Sequence, residues 1–189
     1  SGAATVGAMA SQDLLDHLHL HSVREGDFVL KSGRPSRWFV DSKQTACRPD
    51  GIIAVADAAL EVIPDEVTAI GGLTMGADPV AFGVAAVAAT RGRELRSFSV
   101  RKEAKDHGVT GRVAGALQPG DRVVITEDTV TRGTSLLEAA AVVREFGAEV
   151  VMALAIVDRG GTCEAMAAAD GIPFHALVTA PDLGFGFGE

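Results

Sequence analysis

The chain has 189 residues, of which 47% are hydrophobic and 22% are charged. That length and composition fit one folded domain with a modest appendage and exclude a largely disordered chain. The net charge of -8 argues against binding along nucleic-acid phosphates. The basic residues cluster between Arg91 and Arg112, a pattern that favours a small polyanionic ligand.

The sequence predicts a cytoplasmic protein with neither a membrane nor a nucleic-acid partner. Cys47 and Cys163 lie in unrelated contexts, so a disulfide framework and a cysteine-based zinc site are both poorly supported. The longest apolar stretch, residues 80–89, is interrupted by Gly83 and is too short to cross a bilayer. Residues 1–10 are small and uncharged, and we interpret them as an expression scar or a frayed terminus.

The spacing of apolar residues predicts alternating helices and strands after a short hairpin. In chain order the pattern predicts a helix over 11–20, strands over 28–34 and 38–41, a helix over 52–63, a strand over 67–70, a helix over 79–90, strands over 95–100 and 122–126, a helix over 133–146, a strand over 150–157, a helix over 162–169 and a strand over 174–178. Residues 101–115 are polar and show no apolar period, so we predict a loop there.

This alternation predicts an α/β fold with a doubly wound, mostly parallel sheet flanked by helices. The strands that carry the pattern are uninterrupted apolar runs, as expected of strands buried on both faces. The whole of 11–189 is expected to form a single domain. A small N-terminal hood, mainly residues 11–48, would lie beside a core at 49–189.

The segment most informative about chemistry is residues 123–135, where an apolar strand ends at two carboxylates, Glu127 and Asp128. A loop of hydroxyl residues with one glycine follows and opens a helix. Ligands of open α/β sheets bind at the carboxyl ends of strands, and successive backbone N–H groups at a helix N-terminus can hold a phosphate. Paired carboxylates beside such a cradle point to ribose phosphate. The alternative is a solvated acidic pair followed by an ordinary helix cap.

This segment resembles the phosphoribosyl pyrophosphate motif of the type I phosphoribosyltransferases. The resemblance implies that Glu127 and Asp128 hold the 2′ and 3′ hydroxyls of the ribose, with Asp128 also catalytic, and that the following loop holds the 5′-phosphate. The loop residues so implied are Thr129, Val130, Thr131, Arg132, Gly133, Thr134 and Ser135.

A second segment, residues 101–108, is similar to the mobile catalytic loop of orotate phosphoribosyltransferases. It carries three cations and a histidine, namely Arg101, Lys102, Lys105 and His107. A flexible arm of this charge suits a pyrophosphate leaving group and can close over it to exclude water. All four residues are expected to bind phosphoribosyl pyrophosphate, and Lys102, Lys105 and His107 also to act in catalysis. Taken alone, the segment favours a solvated charged loop, and it is the neighbouring phosphoribosyl pyrophosphate motif that reverses this preference.

The resemblance extends to the base site. It implies that Lys31 of the hood reaches the reaction centre as a catalytic and orotate-binding residue, and that Trp38 and Phe39 lie near the base. Arg159 follows the strand at 150–157 and, with Thr131, is a candidate partner for the carboxylate of orotate, since arginine can hold a carboxylate through two hydrogen bonds. The alternative for Arg159 is an arginine in a β-turn.

Two features depart from, or stand outside, the resemblance. Many members of the family carry a lysine in the loop after the Gly71-Gly72 strand, whereas residues 71–77 contain none. We therefore expect this loop to bind pyrophosphate through backbone N–H groups. His17 and His21 share a helical face at a spacing that can bind a metal, but no acidic or sulfur ligand joins them in sequence, which argues against such a site.

The resulting hypothesis is an orotate phosphoribosyltransferase of pyrimidine (UMP) biosynthesis that joins orotate to ribose 5-phosphate and releases pyrophosphate. Mg²⁺ is the expected cofactor, bound mainly through substrate and water rather than by direct protein ligands. The resemblance also implies a homodimer with shared active sites. The alternatives are an adenine or other purine phosphoribosyltransferase and a non-catalytic regulator that senses phosphoribosyl pyrophosphate.

Overall fold

The computed structural model describes residues 10–30, 33–105 and 111–189. The elements in chain order are α1 (Gln12–His21), β1 (Val23–Val29), β2 (Pro35–Val40), α2 (Lys43–Ala46), α3 (Pro49–Val62), β3 (Ala69–Leu73), α4 (Ala77–Thr90), β4 (Arg96–Lys105), β5 (Gly111–Gly115), β6 (Arg122–Val130), α5 (Thr134–Phe146), β7 (Glu149–Asp158), α6 (Cys163–Ala169), β8 (Phe174–Thr179) and a 3₁₀ turn (Pro181–Leu183).

The core is a six-stranded sheet with the order β5-β4-β3-β6-β7-β8. Every neighbouring pair is parallel except β4 and β5, which are antiparallel. β1 and β2 pair separately as an antiparallel hairpin. The predicted α/β fold with a doubly wound, mostly parallel sheet is confirmed.

Both faces of the sheet are buried, which explains the uninterrupted apolar strands. In β6, Val124 packs in one hydrophobic cluster with α3 and α4, while Val123 and Ile125 pack in a second cluster with α5 and α6. Leu14 and Leu18 of α1 are fully buried in the first cluster. The N-terminal helix therefore shares its hydrophobic core with the sheet.

The strand order places a crevice at the centre of the sheet. From β3 the chain winds outward to β4 and β5, and it then returns to β6 on the other side of β3. Ligands of doubly wound sheets bind at the carboxyl ends of the strands where the winding direction reverses. In this chain that position lies between the ends of β3 and β6.

Three local predictions differ from the structure. The predicted loop at 101–115 was wrong at both ends, because β4 continues to Lys105 and pairs with β5. An antiparallel edge strand is half solvated and needs no apolar run, so the pattern did not reveal it. The sequence did not predict α2, because a helix of four residues is too short to show a hydrophobic period. The first hood strand lies earlier than predicted, at Val23–Val29, where most side chains are exposed.

Residues 1–10 of the predicted terminus lie outside the described residues, apart from Ala10. Within the described part of the chain, no helix combines the length and the apolar character that crossing a membrane requires.

Candidate active site

The acidic pair lies at the predicted crevice. Glu127 and Asp128 occupy the carboxyl end of β6 and are 8% and 7% exposed. The loop after β3 passes directly over them: a Cβ at Gly76 would lie 1.9 Å from Glu127 Oε1 and 2.6 Å from Asp128 Oδ1. A side chain at position 76 would require both carboxyl groups to move. The pair therefore lies between the ends of β3 and β6.

The two carboxyl groups differ in charge. Burial, followed by the neighbouring Asp128, raises the pKa of Glu127 to about 8, so this side chain is protonated at neutral pH in the unliganded protein. Asp128 Oδ2 accepts a hydrogen bond of 2.5 Å from Lys43 Nζ. Burial alone would lower the pKa of Lys43, but the hydrogen bond and charge of Asp128 raise it.

The short helix α2 brings two hood residues to the end of β6. Lys43 pairs with Asp128, and Ser42 Oγ lies 2.7 Å from Thr129 Oγ1. Sequence reasoning missed both residues. Lys43 and Asp128 are separated by 85 positions, and nothing in the local pattern around Lys43 indicates a buried carboxylate partner. Lys43 is a functional candidate because it sets the charge of the acidic pair.

The loop after β6 begins two residues later than predicted. Thr129 and Val130 extend β6, since they pair with β7 at Val157 and Asp158. The turn is then completed by Gly133, whose φ of +87° suits glycine and whose Cβ would lie 2.5 Å from Cys163 Sγ. α5 begins at the next residue. A turn that delivers the chain into a 13-residue helix offers N–H groups and the helix dipole to an anion.

Arg159 lies beside this cradle. The turn after β7 abuts the turn after β6, since a Cβ at Gly160 would lie 1.8 Å from Thr131 O. Thr162 Oγ1 also donates to Thr131 O at 3.1 Å. Asp158 Oδ1 accepts hydrogen bonds from the N–H groups of Gly160 and Gly161, which fixes the second turn.

Arg159 is 8% exposed, and its guanidinium is held through one nitrogen. Its Nη2 donates to Ser36 Oγ at 2.8 Å, to Trp38 O at 3.1 Å and to Glu189 O at 2.7 Å. Nε is buried without a partner among the described residues. Burial, and then the charge of Arg34, lowers the pKa of Arg159. Arg159 is thus a desolvated cation whose Nε–H group can still donate a hydrogen bond to a ligand.

A cavity of about 800 Å³ joins these features. Its walls come from the hood hairpin and from the ends of β6 and β7, and the lining residues are Phe28, Val29, Leu30, Arg34, Phe39, Val40, Glu127, Thr129, Val130, Thr131, Arg132, Gly133, Thr134, Ser135, Arg159 and Gly188. The predicted cradle, Phe39 and Arg159 are therefore brought together. Arg34 is a further cation on this wall that sequence reasoning did not select.

Other predicted residues lie away from the cavity or outside the described residues. Trp38 is fully buried behind Arg159, with the Arg159 guanidinium 4.8 Å from its ring centroid. Arg101 and Lys102 belong to β4 and do not line this cavity. Lys31 and His107 lie outside the described residues, as does the side chain of Lys105. The roles of all six residues stay predictions.

The loop after β3 is shorter than predicted. Gly71 and Gly72 belong to the buried strand β3, which leaves residues 74–76 between the strand and α4. The Thr74 N–H donates to Val100 O at 2.8 Å, so this group is used within the fold and does not face a ligand. Backbone binding of pyrophosphate by this loop stays a prediction for the residues after Thr74.

A doubly wound sheet with an acidic pair and an anion cradle at its switch point is the architecture of the type I phosphoribosyltransferases. No protein-family model matches the chain. The orotate phosphoribosyltransferase of Synechocystis sp. is 37% identical over 93% of this chain and 89% of its own length. That of Streptomyces avermitilis is 41% identical over 90% and 95%.

Solved structures agree with these relatives. The Mycobacterium tuberculosis orotate phosphoribosyltransferase superposes with a TM-score of 0.81 at 33% identity, covering 91% of this chain and 97% of that chain. A second structure of that enzyme, in complex with 5-phospho-alpha-D-ribosyl 1-diphosphate, has a TM-score of 0.77 at 30% identity and covers 91% and 97%. The chain belongs to the orotate phosphoribosyltransferase family, as its motifs predicted.

Proposed function

We propose that the chain transfers ribose 5-phosphate from phosphoribosyl pyrophosphate to orotate, giving orotidine 5′-phosphate and pyrophosphate. The observation that carries the proposal is a single cavity with an anion cradle at residues 131–135 and the buried Arg159 on its wall. The cradle suits the 5′-phosphate, and Arg159 suits the carboxylate of orotate. Adenine and the other purine bases lack a carboxylate and would leave this desolvated cation without a charged partner.

The reaction breaks the bond between the anomeric carbon and pyrophosphate and forms a bond from that carbon to a ring nitrogen of orotate. Positive charge develops on the ribose, and negative charge develops on the departing pyrophosphate. Asp128 would stabilise the positive charge that develops on the ribose. Lys43 would fix the position of the Asp128 carboxylate. No side chain needs to form a covalent bond, so catalysis comes from positioning and electrostatics.

The two ribose hydroxyls would meet an unequal pair of carboxyl groups. Asp128 is paired with Lys43 and can accept a further hydrogen bond, whereas Glu127, with its pKa of about 8, holds a proton until the ligand arrives. Binding of the ribose hydroxyls and of a cation favours the ionised form of Glu127. The proposal therefore includes release of the Glu127 proton when phosphoribosyl pyrophosphate and its metal ion bind.

Mg²⁺ is the cofactor that this arrangement fits. The buried oxygen donors at the cavity are few, and Asp128 is already neutralised by Lys43. Such a site suits an ion that takes most of its ligands from pyrophosphate oxygens and water. Glu127 and Asp128 would contribute through the ribose hydroxyls that they orient. When bound, Mg²⁺ supplies charge neutralisation for the leaving group.

The cations of the catalytic segment would complete the site from a second subunit. Arg101, Lys102, Lys105 and His107 are proposed to meet the pyrophosphate, whereas Lys31 of the hood is proposed to reach the reaction centre beside orotate. Two observations support a homodimer with shared sites. Arg101 and Lys102 do not line the cavity of their own chain, and α3 and α4 expose Ile53 and Phe82 by 49% and 47%. Large exposed apolar side chains are typical of association surfaces.

A cytoplasmic location fits the state of the cysteines. Cys47 is exposed and Cys163 is buried, and neither forms a disulfide in the described part of the chain. A reducing compartment is where such thiols persist.

The test of the proposed function is product formation. Purified protein is incubated with phosphoribosyl pyrophosphate, Mg²⁺ and either orotate or adenine, and the nucleotide product is identified by mass spectrometry. We expect orotidine 5′-phosphate from orotate and no product when EDTA replaces Mg²⁺. Adenosine monophosphate would favour the purine enzyme instead. Tight binding of phosphoribosyl pyrophosphate without any product would favour a non-catalytic regulator.

A further inference from the structure

A second group of potential metal ligands lies outside the cavity. His17 and His21 occupy consecutive turns on one face of α1, and Asp50 comes from the first turn of α3. One ligand atom from each residue can be chosen so that all three lie within 4.8 Å of one another. The fold thus supplies the acidic ligand that the sequence around the two histidines lacks.

The ring of His17 is fixed in place by its surroundings. The His17 side chain is only 10% exposed, and its Nδ1 lies 3.0 Å from Thr45 Oγ1, which in turn lies 2.6 Å from Ser22 Oγ. The backbone of Gly51 allows the ring to pack closely, because a Cβ there would lie 2.6 Å from His17 Cε1. Metal-binding histidines are commonly oriented by such a hydrogen bond at the other ring nitrogen.

The remaining ring nitrogen of His17 faces the carboxylate of Asp50. Nε2 is buried and lacks a hydrogen-bond partner among the described residues, although Asp50 Oδ1 lies 3.3 Å away. Two ligands of a tetrahedral ion with bonds of about 2.0 Å lie about 3.3 Å apart, and their lone pairs point at the ion rather than at each other. The 3.3 Å contact between His17 Nε2 and Asp50 Oδ1 matches the spacing expected of two such ligands.

We propose that His17, His21 and Asp50 form a binding site for a divalent transition-metal ion of the zinc class. Two imidazoles four residues apart on a helix, with one carboxylate, form a ligand set that suits Zn²⁺ and leaves a fourth position for water. The widest pair must contract by about 1.5 Å to reach tetrahedral spacing. Asp50 can make that movement, since its side chain is 71% exposed.

The position of the site indicates its role. The ion would join α1 to the start of α3, and Thr45, the outer partner of His17, belongs to α2. α2 also carries Lys43, which pairs with Asp128. The ion would therefore stabilise the position of α2, whose Lys43 pairs with Asp128, without contacting the substrates. Arg48 contributes positive charge near His21, so we expect micromolar rather than nanomolar affinity.

The experiment measures binding of Zn²⁺ and Co²⁺ to the whole chain in a Cys47→Ser background, which removes an exposed thiol ligand. Excess Mg²⁺ is present to occupy the active site. We expect one Zn²⁺ per chain, a visible Co²⁺ spectrum of tetrahedral intensity, and a rise in Tm of about 5 °C at a hundredfold excess over the Kd.

His21→Gln and Asp50→Asn should each weaken binding about tenfold or more and abolish the Co²⁺ spectrum. His19→Gln is the matched control, since His19 is exposed on the same helix and is not one of the three ligands. It should leave both readouts unchanged. The proposal is overturned by an absence of binding at about 100 μM Zn²⁺, by binding that survives His21→Gln and Asp50→Asn, or by an equal loss in His19→Gln.

Discussion

Replacing Glu127 by glutamine tests the charge state of the acidic pair directly. The ordinary pKa of this carboxyl is 4.5, and the folded protein raises it to about 8. Between those two pH values the folded state keeps a proton that the unfolded state has released. Stability is therefore fully present below pH 4.5 and is progressively lost as the pH rises toward 8, because ionising the buried carboxyl costs free energy.

The size of this loss follows from the shift. The difference between the pKa values of Glu127 in the unfolded and folded states corresponds to at most about 5 kcal/mol of unfolding free energy, at about 1.4 kcal/mol for each pKa unit. Water that reaches the pair lowers the cost, so we expect the free energy of unfolding of the wild type to fall by at least about 2 kcal/mol between pH 5 and pH 8.5. Glu127→Gln has no proton to lose there and should not show this fall.

The assay is urea unfolding of the unliganded protein at both pH values. Exposed Glu145, on α5, provides the control variant Glu145→Gln, which removes a surface carboxylate and should retain the wild-type pH dependence. Glu127→Gln should also be the less active enzyme, since the ligand requires the ionised form. If wild type and Glu127→Gln lose stability equally between pH 5 and pH 8.5, the reasoning about a protonated buried carboxyl is refuted.

The remaining predictions concern the base, the acidic pair and the subunit arrangement. Arg159→Ala should raise the Michaelis constant for orotate far more than that for phosphoribosyl pyrophosphate, with a loss of about 2–4 kcal/mol in transition-state binding; equal effects on both substrates would remove Arg159 from the base site. Lys43→Met should lower kcat on the order of a hundredfold, and Lys43→Arg should restore part of it, by steady-state kinetics; an unchanged rate in Lys43→Met would show that the pair with Asp128 is dispensable. Lys105→Ala and Asp128→Ala should each be nearly inactive alone. If the active sites are shared between subunits, co-refolding the two variants should recover roughly a quarter of wild-type activity. No recovery, with mixed dimers confirmed by mass, would mean that each loop acts on the site of its own subunit.

The parts of the fold that the sequence predicted are those with a strong local signal. The apolar run before Glu127 and Asp128 predicted a strand buried on both faces, and the glycine at 133 predicted a turn into a helix. Those local signals led to the correct fold class and family. They depend only on neighbouring residues, and the structure required little correction to them.

The parts that the sequence did not predict depend on contacts between distant segments. Lys43 meets Asp128 across 85 positions, and Asp50 meets His17 only because α3 packs against α1. β5 pairs at the edge of the sheet without an apolar pattern of its own. Each of these features follows from tertiary packing, which hydrophobic periodicity does not encode. Asp50, which lies beside His17 in the fold but far from it in the sequence, is the clearest example.

The measurement that tests the central claim most directly is competition between orotate and uracil for limiting phosphoribosyl pyrophosphate in the presence of Mg²⁺. Uracil is orotate without its carboxylate, so the ratio of the two nucleotide products isolates the contribution of carboxylate recognition by the buried Arg159. A site built around a charged group rejects an analogue that lacks it, and we predict a preference for orotate of at least about a thousandfold. Comparable amounts of orotidine 5′-phosphate and uridine 5′-phosphate would contradict the account.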